Sequence, residues 1–211
     1  MSESDLAEKI SWTPIIEKYF SETAERAGCL AWLHQRSEGY YTKTKKWIDL
    51  PAIILSSVIG FGSVGSSSMF ENNTKIASII LGVMSLFVSV LQTTGSYFGW
   101  SKRAENHRLS AIHYSKLQRF VSIEMKLPQI ERMEPTSFLK MVKQEYDRLQ
   151  EVSPLIPLHI IEEFKSRFNN EKYESVSRPP ECNGLENVLI YEADTPTLVI
   201  RSPLNSPTPV E

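Results

Sequence analysis

Ser78, Gly82, Ser85, Ser89, Gln92, Ser96 and Gly99 recur at spacings of three and four residues inside a stretch that carries no charge. That period places them along one face of a helix. The other positions there are Ile, Leu, Val, Phe and Met. Hydroxyls and a carboxamide on such a helix have two uses. Small side chains let backbones approach closely, so the stripe can be a packing seam. Alternatively it can line a polar path, where hydroxyls and amides partly replace the water around an ion without a fixed charge. Gln92 fits packing least well, because its amide needs partners that lipid does not supply. A shorter stripe, Ser56, Gly60, Ser63 and Ser67, precedes it. One stripe can seal a hairpin or a subunit contact while the other lines a lumen. Phe61 and Phe87 are candidate hydrophobic constrictions.

The elements that must carry these residues read as two membrane-spanning helices. Leu50 to Phe70 and Ile76 to Trp100 contain no charged residue, and Glu71-Asn72-Asn73-Thr74-Lys75 forms the polar turn between them. At ~1.5 Å per residue the first run reaches ~30 Å, the thickness of a bilayer's hydrocarbon core. Lys43, Lys45 and Lys46 precede the pair, and Lys102, Arg103 and Arg108 follow it, which predicts both termini in the cytoplasm. Trp47 and Trp100 are the expected interface anchors, with Tyr40, Tyr41 and Tyr97 nearby. Asn72-Asn73-Thr74 matches a glycosylation sequon, but a five-residue turn against the bilayer leaves little room for a glycan.

Composition limits the other function classes. The 211 residues include 23 basic and 25 acidic, and a net charge of −2 gives no sign of nucleic-acid binding. The mean hydropathy of −0.23 conceals the concentration of apolar residues in one quarter of the chain. Met1 to Lys9 lacks the apolar core of a signal peptide, so the first span is expected to act as its own uncleaved signal. Cys29 and Cys182 read as reduced structural thiols. His107 and His113 are six residues apart and point to different faces. Gly60-Phe61-Gly62-Ser63-Val64-Gly65 has the form of a dinucleotide fingerprint, yet no acidic residue follows between Glu71 and Glu105 to hold a ribose. Val58-Ile59-Gly60-Phe61-Gly62 resembles a potassium filter, but the outer and pore helices of that architecture are missing. No enzyme, cofactor or metal site is expected.

In chain order, 1–12 reads as a flexible N-terminus and 13–47 as a juxtamembrane helix capped by Thr13, with Pro14 at its first position. Ile16, Phe20, Ala27, Leu30 and Ala31 form its apolar face, and Gly39 is a candidate bend. Residues 48–101 hold the hairpin, with spans at 50–70 and 76–100. Residues 102–168 form a cytoplasmic helical region. There Leu109, Ile112, Leu117, Phe120 and Val121 make one apolar face, and Phe138, Leu139, Val142, Tyr146 and Leu149 make another, in a helix capped by Thr136 or Ser137. Ser153 to Pro157 breaks the pattern before a short helix over Leu158 to Phe168. Residues 169–211, rich in Pro, read as a disordered tail. Its apolar patches, Val188 to Tyr191 and Leu198 to Ile200, are candidate partner-binding segments. Its Ser-Pro and Thr-Pro pairs are candidate phosphorylation sites of low specificity.

The arrangement from Trp12 to Phe168 resembles the SLATT family of two-transmembrane effector proteins. The resemblance rests on the helix before the hairpin, the Gly/Ser-rich first span, the short turn, the second span and Lys102-Arg103-Ala104-Glu105-Asn106-His107-Arg108. Gln144-Glu145-Tyr146-Asp147-Arg148-Leu149 and Ser153-Pro154-Leu155-Ile156-Pro157 resemble the branch found in large DNA viruses. The resemblance implies an all-α oligomeric membrane protein that forms an ion-conducting pore in conflict between hosts and genetic parasites. The expected partners are the lipid bilayer and further copies of the chain. The alternative is a non-conducting scaffold, whose cytoplasmic helices and tail recruit a soluble protein.

Overall fold

A computed structural model describes residues 11–69, 73–170 and 173–184; the side chains of 66–69 lie outside the description. Every regular element among these residues is helical. The first, α1 (Pro14–Met69), runs unbroken for 56 residues, or ~84 Å at ~1.5 Å per residue. The sequence pattern predicts a juxtamembrane helix, a bend at Gly39 and a separate span. Instead the helix continues through Gly39, whose surroundings are open. It also continues through Pro51, which removes one N–H from the ladder without breaking it. The first turn matches expectation: the Ile16 amide donates to Thr13 Oγ1 at 3.4 Å.

The return leg consists of α2 (Thr74–Phe98) and α3 (Trp100–Lys126), packed along α1. They meet at Gly99, which has φ 59° and ψ 33°, a left-handed conformation that only glycine takes without a Cβ penalty. Gly99, read from the sequence as the last member of the small-residue stripe, is therefore the joint between the second apolar helix and its polar continuation. Two helical stretches, Pro14–Gly65 and Thr74–Lys126, each contain an apolar window long enough to cross a membrane.

The core lies in the polar half of this long hairpin. Phe20, Ala27, Leu30 and Leu33 of α1 pack with Tyr114, Leu117 and Val121 of α3. Phe138, Val142 and Leu149 of α4 (Pro135–Val152) and Ile160 and Phe164 of α5 (Leu158–Arg167) complete it. The rings of Phe20 and Phe138 stand 4.6 Å apart. On α3 the expected face is only half right: Leu117 and Val121 are buried, while Leu109, Ile112 and Phe120 are exposed. The face that is buried runs Ala104, His107, Ser110, Tyr114, Leu117, Val121 and Glu124. Its polar members hide it from a hydropathy count. Glu134, not Thr136 or Ser137, caps α4. Its carboxylate accepts from the Ser137 amide at 2.9 Å and from Ser137 Oγ at 2.6 Å, which holds its carboxyl down at about 2.

The chain after Phe168 departs from the expected tail. Residues 173–184 lie against the core and end in α6 (Pro180–Asn183). The Ser177 amide donates to Glu25 Oε2 at 2.7 Å, Arg26 Nε donates to Ser177 Oγ at 3.1 Å, and Arg178 donates to the Phe168 carbonyl at 2.8 Å. Cys182 is buried in the same cluster as Cys29. Both are free thiols, and burial pushes each up to about 11. Ser67, the sequon at Asn72, the two apolar tail patches and the Ser-Pro pairs fall wholly or partly outside the described residues.

Candidate functional site

The two apolar legs meet along one seam. From α1 it takes Ile48, Ala52, Leu55, Ile59 and Gly62; from α2, Ala77, Leu81, Met84, Val88, Leu91 and Gly95, all buried or half-buried. Gly62 lets the legs approach closely, since a Cβ there would meet Leu81 Cδ2 at 3.0 Å, and a Cβ at Gly95 would meet Ile48 at 3.8 Å.

Neither stripe singled out in the sequence forms this seam. Ser56, Gly60 and Ser63 on α1 are exposed, as are Ser78, Gly82, Ser85, Ser89, Gln92 and Ser96 on α2. A Cβ at Gly60 or Gly82 would meet nothing within 4 Å. At about 100° per residue, the α1 stripe lies roughly 90° round from the α1 seam and the α2 stripe roughly 100° round from its own. Because the legs run antiparallel, those two rotations bring both stripes to the same side of the hairpin. The result is a two-sided hairpin, with the small and polar stripes on one side and a surface elsewhere dominated by Ile, Val, Leu and Phe, where Ser57 and Thr94 bond back to their own helix. This corrects the idea that one stripe seals the hairpin. It also separates the candidate constrictions from the stripes: on the same geometry Phe87 lies roughly 180° from the α2 stripe and Phe61 roughly 130° from the α1 stripe. Both are exposed on the apolar part of the surface.

Near the aromatics expected as interface anchors, Lys45 Nζ donates to Ser101 Oγ at 3.2 Å across the two legs. Trp47 is 73% exposed. Trp100 stacks on Phe98 with ring centroids 5.1 Å apart.

Below that contact lies a feature absent from the sequence reading. His34 of α1 and His107 of α3, each 1% exposed, place their Nδ1 atoms 2.9 Å apart. A hydrogen bond at that distance requires one Nδ1 to carry its proton and the other to be bare. Tyr114 stacks on His34 at 5.5 Å and Tyr41 stacks on His107 at 5.4 Å. Burial, and then each neighbour's charge, pushes the rings down: His34 to about 3, with His107 as the second cause, and His107 to about 4, with Arg103 as the second cause. The pair is therefore neutral at pH 7. Sequence spacing separates His107 from His113 and carries no information about His34. The available signal was the core period itself: Phe20, Ala24, Ala27, Leu30, His34 and Ser37 keep helical spacing through polar residues, as His107, Ser110, Tyr114 and Leu117 do on α3. Among the described residues, no group of three or more His, Cys, Asp or Glu could hold a metal ion.

No protein family, curated protein or solved structure matches this chain.

Proposed function

We propose that the chain is a multi-pass membrane protein whose hairpins assemble with their polar sides turned toward a shared ion path, in the manner of a SLATT effector. The observation that carries this reading is the common side occupied by Ser56, Gly60 and Ser63 with Ser85, Ser89, Gln92 and Ser96. Lipid offers that side no hydrogen-bonding partners, whereas neighbouring copies or water do. The apolar windows support the membrane placement, since only 6% and 11% of their residues are covered by the rest of the protein. The helix in the core of a water-soluble fold would be mostly covered. The flanking lysines and arginines favour both termini in the cytoplasm, where the helical core would hold subunits in register.

A scaffold without conduction is the second reading. Hydroxyls that bond back to their own helix, as Ser78 Oγ does to the Thr74 carbonyl at 2.9 Å, need no lumen. Ion flux through purified protein in liposomes decides between them. Flux that Gln92→Leu abolishes, with the oligomer intact, supports the pore. Silence from an intact wild-type oligomer supports the scaffold.

A further inference from the structure

Lys43, Lys46, Trp47, Leu50, Pro51 and Ile54 line an open groove of about 330 Å³ on α1. It lies on the side of the helix away from α2, because Ile48 and Ala52 take the seam. Its lining changes along the axis, with two ammonium groups at the cytoplasmic end, an indole in the middle and aliphatic side chains beyond. At ~1.5 Å per residue Lys43 and Ile54 stand ~16 Å apart, about the depth of one leaflet's headgroup layer and its upper hydrocarbon. No carboxylate lines the groove. Asp49, the nearest in sequence, pairs with Lys45 at 3.8 Å on another face. Pro51 has no N–H, so the Trp47 carbonyl beside the groove loses its helical donor.

We propose that this groove binds one anionic glycerophospholipid. Its phosphate lies between the Lys43 and Lys46 ammonium groups, and an acyl chain runs along Leu50 and Ile54. The inference rests on the membrane reading above and adds a lipid class to it. Free phosphate would satisfy the lysines alone, whereas the apolar wall requires a tail.

The test is quenching of Trp47 emission in the purified full-length protein by phosphatidylglycerol brominated on its acyl chains, with brominated phosphatidylcholine as the reference. A Trp47→Phe variant identifies the Trp47 share of the signal. The expected result is a preference for phosphatidylglycerol that falls roughly thirtyfold in Lys43→Gln/Lys46→Gln, the change that follows from losing two juxtamembrane charges. It should be unchanged in Lys45→Gln and insensitive to inorganic phosphate. Equal quenching by the two lipids, an equal loss in Lys45→Gln, or displacement by inorganic phosphate would overturn it. Flotation with vesicles separates the two ideas. Protein that floats without a lipid preference sinks only the groove, while protein that does not float sinks the membrane reading as well.

Discussion

Acidification should destabilise this protein through the His34–His107 pair before any carboxylate titrates. Both rings are neutral in the fold, held down to about 3 and about 4, against an ordinary value of 6.5. A lowered histidine pKa makes the folded state the poorer proton acceptor. Above pH 6.5 both states are neutral, and the pair contributes no pH dependence. Below 6.5 the unfolded chain takes up protons that the folded core refuses, so stability falls. Each ring loses about 1.4 kcal/mol per pH unit until pH reaches the folded values. Between pH 7.5 and pH 5 the two together cost roughly 4 kcal/mol, on the order of 10 °C in melting temperature for a chain of this size. Tyr41, Tyr114 and Arg103 surround the pair, and none offers a carboxylate to stabilise a charged ring. The assay is thermal unfolding of the helical core in detergent across that pH range, for wild type and for His34→Leu/His107→Leu. The double variant should show a nearly flat profile. Equal slopes in the two proteins would show that the pair is not the groups that titrate, and the reasoning from burial would fail.

Two contrasts test the packing. Gly62→Ile should weaken the hairpin by roughly 1–3 kcal/mol, because its Cβ would already meet Leu81 at 3.0 Å. Gly82→Ile should leave the hairpin intact, as its site is open, and should instead lower the yield of oligomer on size-exclusion chromatography. Chains cut after Gly184 and after Phe168 should also differ. Only the shorter one uncovers Cys29 and removes the Ser177 contacts to Glu25 and Arg26, so its melting temperature should be the lower of the two; equal values would make residues 173–184 dispensable.

The two apolar helices and the two small-residue stripes were legible in the sequence, because charge-free runs and a helical period are local properties. Most of the α1 core face and the break at Ser153–Pro157 were legible for the same reason. What the sequence alone could not settle was which face of each apolar helix meets the other. A stripe of Ser and Gly is equally suited to a seam, a lumen or a subunit contact, and the antiparallel pairing that sets Ile48 against Gly95 and Gly62 against Leu81 assigned the seam to a neighbouring face. The same pairing put Phe61 and Phe87 away from both stripes. Two further decisions were purely tertiary. His34 and His107 lie 73 residues apart and touch only because the hairpin folds one leg along the other. Residues 173–184, polar and rich in proline, become ordered through specific bonds to Glu25, Arg26 and Phe168, which composition cannot encode. Local pattern thus fixed the helices, and the long-range pairing of those helices decided which of their faces remain open to lipid, to water or to another copy.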